Sequence, residues 1–328
     1  MMSDKSVNHY DGKMKAKYNN AIKNAKKRCK LTKCILCGGK SKIIASHTVP
    51  RYVLNNMSNY HFYKSSWNFE LPKYEKHIFG INEAGIFRML CNKCDTKLFN
   101  DYEACEENLK EELLIENIVV ATTIKSMFKK YYDLLIAMRF MEELYGDAIY
   151  NEDLAKNWMY YYYLCTSIDK EIDRMWNSFD TNKVEMEIIY RKILPYSVGV
   201  AAQGALLYGR GLKKGNKIDV SENSTLPWLY LTVLPLKTET FILLVKHKND
   251  HDYDDWVDNF NNMDDNKKLD VISDMIFTEL DDYFVPKDID TDDLKQLCFK
   301  ENDTFESVAK RKVVIKNHLL PPQNKIIS

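Results

Sequence analysis

Two Cys-x-x-Cys pairs, Cys34/Cys37 and Cys91/Cys94, are the residues whose type and spacing best fit a metal site. Four thiolates in two such pairs are the usual ligands of a closed, structural zinc ion. A redox dithiol is the alternative, but no βαβ pattern surrounds either pair. The pairs stand roughly 50 residues apart, which is more than the 15–20 residues of compact zinc modules. We therefore expect an inserted segment to loop out between them.

The remaining cysteines do not have the spacing of metal ligands. They are scattered as ordinary thiols and are Cys29, Cys105, Cys165 and Cys298.

The two pairs differ in their surroundings. Gly38 and Gly39 follow the first pair and allow the backbone to curl tightly around an ion, as in a zinc knuckle. The second pair leads directly into residues 96–103, which have the pattern of a helix start. A knuckle, an extended segment and a helix whose first turn carries the last two ligands together predict a treble-clef zinc finger.

His47 and Asp95 are the residues that could perform catalysis beside such a finger. His47 lies in an extended apolar segment, residues 43–51, and an imidazole near neutral pH can take a proton from water. Asp95 directly follows the last cysteine, and its carboxylate suits Mg²⁺, which prefers oxygen ligands. The alternative role of His47 is structural, with its ring bonded to a backbone carbonyl of the helix.

Residues 34–103 resemble the HNH endonuclease superfamily, in the branch with four zinc-binding cysteines. That branch has Cys-x-x-Cys, an Asp-His or similar pair, and then Leu-Cys-x-x-Cys-His leading into a helix. The resemblance implies a metal-dependent endonuclease that hydrolyses phosphodiester bonds of DNA or RNA with Mg²⁺ or Mn²⁺, with phage defence as its expected setting. It makes His47 the general base, places Asp95 where the family has a metal-binding histidine, and makes the four cysteines structural Zn²⁺ ligands.

The sequence departs from the family at three positions. Ser46 replaces the usual acidic residue, Ile86 stands where an Asn is expected, and Asp95 replaces the final histidine. Glu103 or His77 would have to complete the site. Over most of its length the chain is also similar to poorly characterised bacterial proteins that join such a finger to a helical and β-hairpin region.

Composition places the chain among globular proteins, with 45% hydrophobic and 29% charged residues over 328 positions. The polar N-terminus lacks the apolar core of a signal peptide, and no apolar run is long enough for a bilayer. We therefore expect a cytoplasmic protein with reduced cysteines and no membrane partner. The oligomeric state stays open.

The net charge of zero conceals a strong asymmetry. Residues 1–51 hold thirteen Lys/Arg and two Asp, whereas residues 250–304 hold eighteen Asp/Glu and five Lys. A basic arm beside a zinc finger favours nucleic acid as the partner, either for cleavage or for binding by a non-catalytic module. There are two alternatives. The basic arm could be a solvated leader, or the protein could be a protein-interaction module in which zinc only stabilises the N-terminal unit.

Hydrophobic periodicity predicts an α+β fold with three parts. These are a basic arm or helix (1–30), the HNH-like zinc unit (31–105, with an insertion at about 55–82), and a helical and α+β region (106–328). Within the last part the pattern predicts long helices over 103–176 with a stop at Gly146. The C-terminal part is expected to hold a helix over 197–205, a hairpin of 229–235 with 240–245, and a helix over 267–283.

Overall fold

The computed structural model describes residues 4–57, 61–64, 78–181, 185–212, 218–221, 224–280 and 282–286. The helices are α1 (Asp4–Arg28), α2 (Arg51–Met57), α3 (Asn92–Glu103), α4 (Ile115–Tyr145), α5 (Glu152–Thr181), α6 (Asp254–Asn261) and α7 (Asp265–Thr278). The strands are β1 (Ser46–His47), β2 (His61–Lys64), β3 (Ile78–Gly80), β4 (Ile86–Phe87), β5 (Met186–Leu194), β6 (Ala201–Leu206), β7 (Leu229–Pro235), β8 (Thr240–His247) and β9 (Tyr283–Pro286). The predicted α+β class is confirmed.

Helices α1, α4 and α5 pack together as one layer. The apolar residues of α4 surround most of its circumference, so this helix is buried over nearly its whole length. It ends where predicted, at Gly146, whose φ of 54° lies in the left-handed region that favours glycine. One side of α1 faces α4, and the Tyr18 ring meets the Phe140 ring edge-on at 5.0 Å.

A seven-stranded antiparallel sheet runs in the order β3-β2-β9-β6-β7-β8-β5. The predicted hairpin is confirmed as β7 and β8, which pair from Leu229 with Lys246 to Pro235 with Thr240. The sequence predicted only this hairpin, whereas the sheet contains five further strands.

Two predicted helices differ from the structure. Residues 201–206 form strand β6 and not a helix, because a short run of small apolar residues buried on both faces carries no helical period. Gly204 in this strand leaves room for Leu280, whose Cδ2 would be 2.9 Å from an added Cβ. The predicted helix over 267–283 is confirmed only up to Thr278, since Tyr283 opens strand β9.

The sheet has helices on both faces, which makes its strands apolar on both sides. Two consecutive residues of β7 point to opposite faces of the sheet. Tyr230 belongs to the core shared with α4 and α5, and Leu231 belongs to the core shared with α6 and α7. Strands covered on both faces read as continuous apolar runs rather than as alternating ones.

The range predicted as an insertion contributes strands β2 and β3 to this sheet. Strand β2 pairs with β9, and the Phe62 ring lies edge-on to the Phe284 ring at 6.4 Å. Four aromatic residues of this range, Tyr60, Trp67, Phe69 and Tyr74, lie outside the described residues. Over the described part of the chain, no helix combines the length and the apolar character that a membrane crossing requires.

Candidate metal centre and adjoining histidine

The four predicted cysteines lie together in space. The sulfur atoms of Cys34, Cys37, Cys91 and Cys94 are all within 4.8 Å of one another, and those of Cys37 and Cys91 are 3.8 Å apart. A tetrahedral zinc ion with Zn–S bonds of about 2.3 Å would set its sulfur ligands about 3.8 Å apart. The cluster therefore has the composition and the dimensions to hold a metal ion.

A tight turn forms the first half of the cluster. The amide of Gly38 donates to the carbonyl of Cys34 at 2.9 Å, and the amide of Cys34 donates to the carbonyl of Gly39 at 3.0 Å. Gly38 has φ of 65°, which a residue with a Cβ adopts only at a cost. A Cβ on Gly39 would lie 3.3 Å from the Cys37 sulfur. Both glycines thus serve the turn as the sequence predicted.

Backbone hydrogen bonds tie the two halves together across the sequence gap. The amide of Ile35 donates to the Met89 carbonyl at 3.1 Å, and the amide of Ile44 donates to the Leu90 carbonyl at 2.9 Å. Helix α3 starts at Asn92, so Cys91 precedes it and Cys94 lies in its first turn. Backbone geometry therefore fixes the position of each pair of cysteines.

The environment of Cys34 suits a thiolate, whereas burial and the neighbouring cysteine side chains raise the pKa of Cys94. Burial acts to raise the pKa of Cys34, but backbone N–H donors from Cys37, Cys91 and Leu36 lower it to about 7. Cys34 and Cys91 are buried, whereas Cys37 is exposed. Because a thiolate is the form that binds metal, the N–H donors of the turn favour ion binding at neutral pH.

His47 lies on a two-stranded hairpin beside the cluster. Strand β1 pairs antiparallel with β4, with Ser46 opposite Phe87 and His47 opposite Ile86. The His47 ring is half-buried, and its Nε2 atom is 2.9 Å from the Ile81 carbonyl oxygen. Since a carbonyl oxygen only accepts, the neutral ring carries its proton on Nε2, which leaves the lone pair of Nδ1 as an acceptor.

The charges around His47 favour the neutral ring. Burial lowers its pKa below the ordinary value, and the positive charges of Lys125 and Arg51 act in the same direction. The Ile81 carbonyl and the Asp95 carboxylate act in the opposite direction but do not reverse the shift. The alternative considered from sequence was a bond to a carbonyl of the helix. The observed carbonyl belongs instead to the turn between β3 and β4.

Asp95 lies on the first turn of α3 and interacts with the hairpin. Its Oδ1 atom accepts a hydrogen bond from the hydroxyl of buried Ser46, the residue before His47. Asp95 is also close enough for its charge to affect the His47 pKa. Asp95 therefore contacts the residue that precedes His47 in β1, and its charge reaches the imidazole.

Of the two residues named as possible further ligands, only Glu103 lies in the described part of the chain. The Glu103 carboxylate pairs with the ammonium of Lys125, and His77 lies outside the described residues. Lys125 on α4 is fully buried, 4.3 Å from the centre of the Phe99 ring and 5.2 Å from that of Tyr102.

Sequence reasoning missed Lys125 as a neighbour of His47. The available signal was a pair of lysines four residues apart, Lys125 and Lys129, in a helix that is otherwise mostly apolar. Both are buried with acidic partners, which for Lys129 are Asp133 and Asp282.

The turn that supplies the Ile81 carbonyl is fixed on its other side. The Thr48 hydroxyl donates to the Gly85 carbonyl at 2.6 Å, and the Thr48 amide donates to the same oxygen at 2.9 Å. Gly85 has φ of 61°, and a Cβ there would lie 2.6 Å from the Phe284 ring of β9. The hairpin that carries His47 is thus packed directly on the large sheet.

In comparisons with known proteins, no family model, curated protein or solved structure matches this chain.

Proposed function

We propose that this protein is a metal-dependent endonuclease of the HNH type, with a structural zinc ion on Cys34, Cys37, Cys91 and Cys94. The turn, the hairpin and the first turn of α3 are the three parts that a treble-clef finger requires, which supports this fold for the unit. The main supporting observation is His47, held by the Ile81 carbonyl with Nδ1 left as an acceptor and with the Asp95 charge in reach of the ring.

The reaction is phosphodiester hydrolysis. His47 Nδ1 takes a proton from water, the water oxygen forms a bond to phosphorus, and the bond from phosphorus to the leaving sugar oxygen breaks. The leaving oxygen takes a proton from solvent. The neutral state of the ring, favoured by burial and by nearby positive charge, is the state that can accept a proton.

A Mg²⁺ or Mn²⁺ ion would supply positive charge to the phosphate, with Asp95 as its protein ligand. Among the described residues, only the four cysteines form a group of three or more metal-ligating side chains. Asp95 alone is nevertheless compatible with Mg²⁺, because this ion keeps several waters and is often held by one or two carboxylates together with substrate phosphates.

The test is cleavage of supercoiled plasmid and of structured RNA by the purified, zinc-loaded protein with Mg²⁺ or Mn²⁺. We expect His47→Ala to reduce cleavage by about 10²–10⁴-fold, which is the usual contribution of a general base. The matched control is His251→Ala, because the His251 side chain is 73% exposed and lies on the loop after β8, away from the hairpin. Equal cleavage by the His47→Ala variant and the wild type would refute the mechanism.

A non-catalytic zinc module that binds nucleic acid is the second candidate. It is favoured by the Ser46–Asp95 hydrogen bond, which occupies an oxygen that a metal ion would need. This function predicts nucleic-acid binding without cleavage at any Mg²⁺ or Mn²⁺ concentration. Cleavage that depends on His47 would exclude it.

A further inference from the structure

The outward face of helix α1 carries lysines that the proposed catalytic site does not use. We propose that Lys13, Lys17, Lys23 and Lys27, here called the α1 lysine face, bind the sugar–phosphate backbone of duplex nucleic acid. The inference specifies duplex nucleic acid as the substrate, and in this respect it rests on the proposed function. The binding itself can be measured without cleavage.

Helical geometry places these four lysines on one side. With about 100° of rotation per residue they fall within an arc of about 120°, and they span about 21 Å along the helix axis. The opposite side, with Tyr18, Ala21 and Ala25, is buried in the core. The face is therefore a stiff row of charges on a helix that is anchored by its other side.

The α1 lysine face has no acidic partner in the described structure. All four side chains are exposed, and none takes part in an ion pair with another described residue. No Asp or Glu occurs between Asp11 and Glu70.

Several basic side chains elsewhere in the fold have acidic partners. Examples are Arg28 with Glu142 and Glu143, Arg191 with Glu112, and Arg210 with Asp274. A row of four unpaired positive charges along one helix face points to an anionic partner.

The residues between these lysines favour a phosphate backbone over other anionic partners. Ala16, Asn19 and Asn20 are exposed, small or polar, and allow close approach. Among the side chains described for α1, no aromatic ring is exposed for stacking on unpaired bases, which single-strand binders use. A membrane-surface helix inserts its apolar side into lipid, but here that side is buried in the core. Contacts with phosphates alone predict binding that does not depend on sequence.

The experiment compares two variants of the full-length protein that lose the same charge. One carries Lys13→Gln, Lys17→Gln, Lys23→Gln and Lys27→Gln, which keep helix-forming side chains. The matched control carries Gln at four exposed lysines outside this face: Lys156, Lys170, Lys237 and Lys267. Binding to a 30-base-pair DNA duplex, a duplex RNA, a single-stranded DNA and phosphatidylserine vesicles is followed by fluorescence anisotropy or co-sedimentation, without divalent cations. Circular dichroism confirms the fold of both variants.

We expect the α1 variant to lose at least 10-fold in duplex affinity at low salt and the control to lose little. The slope of log affinity against log salt should become shallower by about 3–4 in the α1 variant, since each phosphate contact contributes about 0.9. Equal loss in both variants, tighter binding to single strands than to duplex, or a loss confined to vesicle binding would overturn the proposal.

Failure of this inference differs from failure of the proposed function. If the α1 variant binds and cleaves duplex like the wild type while His47→Ala is inactive, the proposed binding surface is refuted and the proposed nuclease activity is supported. If duplex binding depends on the α1 lysine face but no cleavage occurs, the proposed nuclease activity is refuted and the proposed binding surface is supported.

Discussion

At the scale of single residues, Gly85 connects the hairpin that carries His47 to the large sheet. Its φ of 61° and the 2.6 Å approach of the Phe284 ring leave no room for a side chain. The carbonyl of Gly85 also accepts both hydrogen bonds from Thr48, the residue after His47. A change at Gly85 therefore acts on the position of the imidazole as well as on packing.

We predict that Gly85→Ala lowers the free energy of unfolding by about 2 kcal/mol or more, because the left-handed conformation and the close contact both disfavour a Cβ. Gly12→Ala is the matched control. Gly12 lies in α1 with nothing within 4 Å of an added Cβ, and alanine there should stabilise by about 0.5–1 kcal/mol. Urea denaturation measures both changes, and equal effects of the two substitutions would contradict this account.

Much of the candidate site was predictable from residue types and spacing. Cysteine spacing gave all four members of the cluster, and the position of Asp95 after the last cysteine placed it near His47. The Ile81 carbonyl and Lys125 were not predictable, because a backbone oxygen leaves no mark in a sequence and Lys125 reaches the site from another element. Such contacts depend on how the hairpin and α4 pack, which the local pattern does not specify.

At the scale of elements, the cysteine cluster joins a turn, the approach to β1 and the start of α3. These elements are short: β1 and β4 have two residues each. Strands of that length do not form a stable hairpin on their own. Their stability must come from packing on α4 and the sheet, and a metal ion held by the four cysteines would add to it.

We predict that the purified protein contains about one zinc ion per chain and that Cys91→Ser abolishes it, whereas Cys105→Ser does not. A structural zinc ion can contribute on the order of 10 kcal/mol to folding. Removal of zinc with a chelator should therefore increase hydrogen exchange in residues 34–47 and 86–95 much more than in α4, β7 and β8. Elemental analysis and exchange mass spectrometry test this. Full zinc occupancy in the Cys91→Ser variant would contradict it.

The success of element prediction depended on burial. Helices α1, α4 and α5 were predictable because their periodicity extends over several turns and Gly146 marks a stop. Strand β6 was not, because burial on both faces removes the alternation that identifies a strand. Strands β2 and β9 are four residues long and lie far apart in the sequence, so local patterns do not show that they pair.

At the scale of the whole molecule, buried His247 and half-buried His47 make stability depend on pH. Burial lowers the pKa of His247, with Arg174 and Lys246 acting in the same direction and Glu185 opposing them. The pKa of His47 is lowered as well, mainly by burial. Above pH 7 each of these histidines is neutral in both the folded and the unfolded protein. As the pH falls through the ordinary value of 6.5, the unfolded chain takes up protons first, and stability is lost.

We predict that the free energy of unfolding decreases from pH 7.5 to pH 5.5 and that His247→Asn makes this decrease smaller. Asparagine can still accept the hydrogen bond that the Asn249 amide donates to His247 Nδ1 at 3.1 Å. Burial raises the pKa of buried Glu171 and of half-buried Asp250, and these two carboxyl groups act in the opposite direction. Urea denaturation at three pH values measures the slopes, and identical slopes in variant and wild type would contradict the prediction.

The pairing of β2 with β9 has a practical consequence for dissecting this protein. A shortened chain that stops after α3 would keep β2 but lose the partner that covers its hydrogen-bonding edge, and uncovered edges promote aggregation. It would also lose Phe284, which packs against both Phe62 and Gly85. Nuclease assays on an isolated N-terminal fragment would then report on a misassembled polypeptide, so the zinc unit is best studied within the intact chain.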